Sequence, residues 1–217
     1  MQTNLEVFAR KKTPTIEEYQ DIFGMIQNQT ERLSHLSEVL LDMTGIQSVE
    51  RSDFISLAEL TDEVCCDLAS IADQKKVELI QEEGDCTVTG SYLLLYRAVY
   101  NLVENAIKYN HSGGKVTVKI SQKKDLPAAH SKPTDYALVE VTDTGIGISP
   151  EFQEKIFAPF FRVDKSRSRA MGGAGLGLAL VAEIARQHGG QVKVLASSKK
   201  GSTIALMLPI NSPLIAI

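Results

Sequence analysis

The segment from Tyr92 to Tyr109 constrains the fold more than any other, because a strong helical pattern there carries polar residues along one line. At about 100° per residue, Asn101, Asn105 and Lys108 lie within roughly 60° of one another. The opposite side of the helix is apolar and comprises Leu95, Val99, Leu102, Val103 and Ala106. The pattern predicts a helix that packs against a second layer with its polar line facing away from that layer.

That polar line has two interpretations. Polar residues that face solvent are usual on a packed helix, but asparagine forms helices poorly, so two asparagines four residues apart are less common. The amide oxygens of Asn101 and Asn105 could jointly face Mg²⁺, which binds oxygen ligands and keeps several of its waters. Lys108, one turn further on, could then neutralise a phosphate group.

Two later segments are rich in glycine. In the first, an apolar strand ends at Asp143 and is followed by Gly145 and Gly147. A carboxylate at a strand end can accept a hydrogen bond from an exocyclic amine, and glycines let a flat ring lie against bare backbone. An ordinary turn is the alternative interpretation.

The second segment, residues 171–178, holds four glycines within six positions just before a predicted helix. Such a loop offers backbone N–H groups and a helix N-terminus to an anion. It is not a Walker A loop, because no Gly-Lys-Ser/Thr follows. It also differs from the dinucleotide-binding fingerprint, because no strand directly precedes it and the glycine spacing is wrong.

Strands and helices alternate after residue 48. The pattern predicts strands over 54–57, 77–80, 86–89, 115–121, 136–142, 192–195 and 203–208, and helices over 57–74, 92–109 and 177–188. A polar loop is predicted over 122–135. The expected fold class is α+β: an α/β sandwich with helices on one face of a mixed sheet, preceded by a helical hairpin.

The first 48 residues are predicted to be a helical unit, separate from the unit at 49–217. A helix begins near Thr15, a candidate cap. Its apolar residues follow a three–four spacing at Ile22, Ile26, Leu33, Leu36, Leu40 and Met43. A heptad seam of this kind favours an antiparallel hairpin or a helical dimer, and a stripe that faces the core of the same chain is the alternative.

Composition excludes several classes of protein. The formal net charge of -4 argues against a chain that holds nucleic acid mainly by neutralising phosphates. No apolar run approaches the roughly 20 residues needed to cross a bilayer, so a membrane connection is expected only through parent segments outside this chain. The 3 cysteines include no CxxC pair, which favours reduced thiols in a cytoplasmic protein.

Taken in order, these motifs resemble the catalytic domain of sensor histidine kinases, within the superfamily of gyrase, Hsp90, histidine kinases and MutL. The matching segments are 101–109 (N box), 143–147 (G1 box), 157–162 (F box), 173–178 (G2 box) and 201–203 on a late strand. Lys108-Tyr109 and the F box distinguish the kinases from the gyrase and Hsp90 branches. One departure is Gly90-Ser91, where these kinases often carry Gly-Asp.

The resemblance implies a Bergerat-type fold that binds ATP and Mg²⁺ under a flexible lid over about residues 149–174. Asn105, assisted by Asn101, would hold Mg²⁺, while Lys108 and Arg162 would contact phosphate and Asp143 the adenine amino group. The full set of implied ATP-binding residues is Asn101, Asn105, Lys108, Tyr109, Asp143, Gly145, Gly147, Ile148, Phe160, Arg162, Gly173, Gly175, Leu176, Gly177 and Thr203.

The resemblance also implies a homodimeric parent protein that phosphorylates its own histidine and passes the group to a response regulator. In such kinases an acidic residue follows the histidine, with Thr-Pro or Asn-Pro three residues further on. Thr13-Pro14 has Ala9 where the histidine belongs, and His35 lacks both the acid and the proline. We therefore expect a cytoplasmic portion of a membrane-anchored bacterial sensor that begins after the acceptor histidine and binds ATP without phosphorylating itself.

Three other functions stay open. The chain could be a regulatory ATP-binding and dimerisation module without kinase activity. It could be an ATPase of the gyrase or Hsp90 type, although Asn101 stands where the catalytic carboxylate would be needed and Glu104 points about 60° away. It could be a serine kinase that acts on an anti-sigma antagonist, which the predicted helical hairpin disfavours.

Overall fold

Alternating apolar residues build the central sheet. Val116 and Val118 of one strand and Val139 and Val141 of its neighbour are buried on the same face, as the two-residue period of a strand requires. The computed structural model describes residues 15–24, 26, 49–124, 135–163 and 175–210.

Within these residues the chain order is β1 (Asp53–Ser56), α1 (Leu57–Lys75), β2 (Glu78–Gln81), β3 (Thr87–Gly90), α2 (Tyr92–Lys108), β4 (Lys115–Lys124), β5 (Asp135–Asp143), α3 (Gly177–Gln187), β6 (Gln191–Ser198) and β7 (Gly201–Pro209). Two short 3-10 helices, Pro150–Phe152 and Lys155–Phe157, lie between β5 and α3.

The described strands form a five-stranded sheet in the order β2-β4-β5-β7-β6, in which β2 runs parallel to β4 and the other neighbours are antiparallel. β1 and β3 pair separately as an antiparallel ribbon. The three helices α1, α2 and α3 pack on one face of the larger sheet and share one apolar core with it. The predicted α/β sandwich is confirmed.

Helices α1 and α2 run in the same direction and are joined along their solvent side. The hydroxyl of Tyr92 donates to Glu63, and the hydroxyl of Tyr96 donates to Asp67. The bond to Glu63 raises the pKa of Tyr92 to about 12. Because each tyrosine reaches the acid 29 positions earlier, the two helices keep one register over this part of their length.

The ends of β4 and β5 differ from the sequence prediction. The strands extend to Lys124 and back to Asp135, and these two residues pair with each other. Polar composition had assigned residues 122–124 and 135 to a loop. Backbone pairing does not require apolar side chains, so the ladder continues past the point where the hydrophobic pattern stops.

The proposed helical hairpin falls largely outside the described residues. Residues 16–24 are helical, and Thr15 accepts a hydrogen bond from the backbone N–H of Glu18 through its hydroxyl, as a helix cap does. The seam residues from Leu33 to Met43 and the candidate His35 are not among the described residues. The boundary between units at 48 and 49 stays a prediction.

A tight hairpin between β6 and β7 supports the loop that follows β5. Gly147 has a φ of +69°, and a Cβ atom there would lie 1.8 Å from the backbone oxygen of Ser198. The next amide, that of Ile148, donates to the hydroxyl of Ser197 at 2.7 Å. Only glycine allows the loop to lie this close to the hairpin.

We predict that Gly147→Ala costs at least about 2 kcal/mol more unfolding free energy than Gly113→Ala. Both glycines have positive φ, but a Cβ at Gly113 would meet nothing within 4 Å, so that variant isolates the backbone strain. Urea denaturation of the two variants measures the difference. Equal losses would show that the hairpin contact is not what requires glycine.

Helices α2 and α3 are pinned together at one end by His188. The backbone N–H of Ser91 donates to Nε2 of His188 at 3.1 Å, and Nδ1 of the ring lies 2.8 Å from the carbonyl of Ile184. The first bond requires an unprotonated Nε2, so the ring is neutral with its proton on Nδ1. The ring also leaves no room for a side chain at Gly90, where a Cβ would lie 2.7 Å from Cδ2.

Burial lowers the pKa of His188 from its ordinary value of 6.5, the backbone hydrogen bond to Ile184 opposes this shift, and the charge of Arg51 adds to it. The unfolded chain therefore takes up this proton at a higher pH than the folded chain does. Stability from the neutral ring is complete above pH 6.5 and falls as the pH drops from there towards the lowered pKa.

We predict that the unfolding free energy decreases below pH about 6.5 by up to about 1.4 kcal/mol per pH unit from this one group. His188→Gln, whose amide oxygen can accept the bond from Ser91, should remove that part of the pH dependence. Denaturant unfolding of both proteins between pH 5 and pH 8 tests this. Parallel curves for the two proteins would contradict the assignment.

Candidate functional site

A cavity of about 420 Å³ opens beside α2, the loop after β5 and the start of α3. This volume lies in the range of small-molecule sites. Of the residues proposed from sequence, eleven of those described line it: Asn101, Asn105, Lys108, Tyr109, Asp143, Gly147, Ile148, Arg162, Gly175, Leu176 and Gly177. Gly173 lies outside the described residues.

The two asparagines of α2 are held in a fixed orientation by their own helix. Nδ2 of Asn101 donates to the carbonyl of Arg97, and Nδ2 of Asn105 donates to the carbonyl of Asn101, both at 2.8 Å. Each amide nitrogen is therefore used against the helix, which leaves the amide oxygens as the available groups. Oxygen atoms on one side of the cavity are suitable ligands for a hard cation.

The start of α3 lies directly against Asn101. A Cβ atom at Gly177 would lie 2.5 Å from Oδ1 of Asn101, so the glycine lets the N-terminus of α3 approach the amide. Unsatisfied N–H groups and the positive end of a helix dipole favour an anion at such a terminus. The geometry therefore brings a cation-binding and an anion-binding feature to the same part of the cavity.

Asp143 stands at the end of β5 with both carboxylate oxygens oriented. Oδ1 accepts from the backbone N–H of Gly145 at 2.7 Å, and Oδ2 accepts from the hydroxyl of Ser202 at 2.6 Å. These bonds fix the plane of the carboxylate at the cavity wall. Gly145 contributes its amide to this arrangement without lining the cavity itself.

The side chain of Thr203 does not line the cavity. Its hydroxyl lies 3.0 Å from that of Thr142, its cross-strand partner on the opposite face of the sheet. Ser202, paired with Asp143, faces the cavity instead. The reason is the two-residue period of a strand: the residue that pairs with Asp143 shares its face, and the following residue does not.

Phe160 is also displaced from its expected position. Its side chain is 60% exposed and its φ is +63°, and it does not line the cavity, whereas Phe161 does. The contribution of Phe160 is through its backbone, because its N–H donates to the carbonyl of Gly175 at 2.9 Å. This bond ties the F-box segment to the start of the G2 glycines.

Arg162 brings a positive charge to the cavity wall. Its Nε and Nη2 atoms are buried, and neither has a hydrogen-bond partner among the residues that the structure describes. Unpaired buried donors are rare, because each loses its bonds to water without replacement. Donors of a guanidinium match carboxylate and phosphate oxygens, so the site is suited to an anionic group.

Several lining residues were not predicted from sequence. Glu104 places a carboxylate beside the two asparagines, and Phe161, Ser202 and Ile204 complete the wall. Ser202 could have been found from the pairing register with Asp143. No group of three or more His, Cys, Asp or Glu side chains among the described residues is arranged to hold a metal.

None of the described helices is long and apolar enough to span a bilayer.

Comparison with known proteins shows the family to which the chain belongs. Residues 90–212 match the family of histidine kinase-, DNA gyrase B- and HSP90-like ATPases. Sensor histidine kinase RppB of Synechocystis is 32% identical over 96% of this chain, which covers 45% of RppB. The chain thus spans less than half the length of this relative.

Two solved structures have the same fold. The mycobacterial sensor histidine kinase MprB is 28% identical, with a TM-score of 0.57 over 73% of this chain and 97% of that one. Histidine kinase ThkA, in complex with response regulator protein TrrA, gives a TM-score of 0.68 at 21% identity, over 96% of this chain and 56% of that one. The family match covers the cavity and the strands around it, and the chain therefore belongs to the histidine kinase-, DNA gyrase B- and HSP90-like ATPase family, as the ATP-binding catalytic domain of a histidine kinase.

Proposed function

We propose that this chain binds Mg-ATP and serves as the catalytic domain of a sensor histidine kinase, which phosphorylates a histidine of its parent protein and relays the group to a response regulator. The observation that carries the proposal is the cavity itself. It combines two oriented amides, two buried arginine donors without a partner among the described residues, and a helix N-terminus within one volume.

Each wall of the cavity has a different task in this proposal. Asn105, with Asn101, presents amide oxygens to Mg²⁺, which would neutralise charge on the phosphates. Arg162 and Lys108 bring positive charge to the phosphate end. Asp143, oriented by Ser202, accepts a hydrogen bond from the exocyclic amine of adenine. Phosphoryl transfer depends chiefly on such positioning and charge stabilisation.

The relatives support a proposal for the partners of the parent protein. The solved complex of ThkA with TrrA supports a response regulator as the partner, and the relative RppB is named a sensor kinase. For dimerisation the support is local: Ile16 and Phe23, one heptad apart in the N-terminal helix, are 78% and 71% exposed. We propose that this helix pairs with a second copy in the parent protein.

The proposal is tested by titrating the chain with a non-hydrolysable ATP analogue, with and without Mg²⁺. Wild-type binding should strengthen with Mg²⁺, and Asn105→Ala should lower the Mg²⁺-dependent affinity at least about tenfold, because the cation loses an oxygen ligand. The titration without Mg²⁺ serves as the control, since the variant should change it little.

If the wild-type affinity is the same with and without Mg²⁺, the proposed role of Asn105 as a Mg²⁺ ligand is wrong. A wild-type chain that binds no nucleotide under any condition would contradict the proposed function. Far-UV circular dichroism of Asn105→Ala confirms that the fold is kept.

The two faces of β7 provide a second test. Ser202→Ala removes the hydroxyl that orients Asp143 and should weaken binding of the adenine nucleotide about fivefold, because the carboxylate loses one of the two hydrogen bonds that orient it. Thr203→Val changes a hydroxyl of the next residue on the opposite face and should leave the affinity unchanged. Calorimetric titration of both variants measures this. Equal changes of affinity in the two variants would mean that Asp143 does not bind the adenine amine.

A further inference from the structure

Lys75, the last residue of α1, contacts the end of α2 without lining the cavity. Its Nζ donates to the carbonyl of Ile107 at 3.2 Å and to the carbonyl of Lys108. The side chain is half-buried, and burial lowers the pKa of its ammonium group. No step of the proposed function uses this lysine.

Lys75 donates to carbonyl groups at the C-terminal end of α2. The last carbonyls of a helix have no partner within it and carry its partial negative charge, so a cation there is stabilising. At this end of α2 the carbonyl of Tyr109 accepts from the amide of Ile146, in the loop after β5, at 3.3 Å. Lys75 supplies donors to the two carbonyls just before it.

The ammonium is presented from a well-fixed point. Lys76 adopts a left-handed conformation with a φ of 56°, and its N–H donates to Asp73. Its carbonyl accepts from the amide of Gly113 at 2.7 Å. The C-terminus of α1 is thus bonded to the turn between α2 and β4, so the backbone from which Lys75 extends is held in place by hydrogen bonds.

The residues that Lys75 holds are those that reach the cavity. The side chains of Lys108 and Tyr109 line it. Lys75 bonds to the carbonyl of Lys108 itself, and Tyr109 is the next residue in the chain. Gly145 packs against the same point, because a Cβ there would lie 2.4 Å from the carbonyl oxygen of Tyr109. A shift at the end of α2 would therefore move two cavity side chains and the glycine loop together.

We propose that Lys75 is a positioning residue for nucleotide binding. Its ammonium group anchors the last carbonyls of α2 and so keeps Lys108 and Tyr109 at the cavity wall. The proposal rests on the proposed function, because the readout is nucleotide affinity, but it assigns a role to a residue that touches no nucleotide.

The experiment compares Lys75→Met with Lys76→Met in the full chain. Both variants remove one positive charge from adjacent positions, but the Lys76 side chain is exposed, and it is Lys75 that donates to the carbonyls of Ile107 and Lys108. With Mg²⁺ and a non-hydrolysable ATP analogue, Lys75→Met should weaken binding about fivefold and Lys76→Met should not. Lys75→Arg, which can donate to the same carbonyls, should restore affinity.

Two further measurements separate positioning from loss of stability. Ser56→Ala removes the N-cap of α1, far from α2's end, and should lower the melting temperature without changing nucleotide affinity. Hydrogen exchange of the Ile146 amide, which bonds to Tyr109, should be faster in Lys75→Met than in Lys76→Met in the absence of nucleotide.

Several outcomes would overturn the proposal. If wild type binds nucleotide and Lys75→Met binds as well as Lys76→Met, the positioning role is wrong while the proposed function stands. If Ser56→Ala weakens binding as much as Lys75→Met does, general loosening explains both. A wild-type chain that binds no nucleotide contradicts the proposed function, and this role with it.

Discussion

Burial of the apolar side of α2 is the constraint on which the rest of the structure depends. Leu95, Val99 and Val103 are fully buried against the other helices and the sheet, and a helix has only one rotation that achieves this. That rotation points Asn101 and Asn105 into the cavity. The hydrophobic effect, which is non-directional, thus sets the direction of the polar groups, and the backbone bonds of the two amides fix their final orientation.

The other walls reach α2 through close backbone contacts. The G1 loop approaches the end of α2 at Gly145, and α3 approaches Asn101 at Gly177. Each contact is possible only without a Cβ atom. The glycines therefore act mainly by letting segments lie close together, and the hydrogen bonds that follow, such as that from Gly145 to Asp143, depend on this approach.

Sequence patterns predicted the helices, the positions of the strands along the chain and eleven of the residues that line the cavity, because period and composition carry that information locally. They could not predict which of two adjacent residues on a late strand faces the cavity. Ser202 rather than Thr203 does so because of its register with Asp143, and register depends on pairing between strands 59 residues apart. The exposure of Phe160 could not be predicted either, because its backbone is left-handed with a φ of +63°, which no residue preference predicts.

The unpaired guanidinium of Arg162 has a consequence for the folding equilibrium of the chain. Two of its donors are removed from water without a partner among the described residues, which costs free energy in the folded state. An anion bound at these donors would relieve that cost only in the folded state. The unfolding free energy would then rise with the logarithm of ligand concentration once this exceeds the dissociation constant, so the resistance of the chain to unfolding would depend on the supply of anionic ligand.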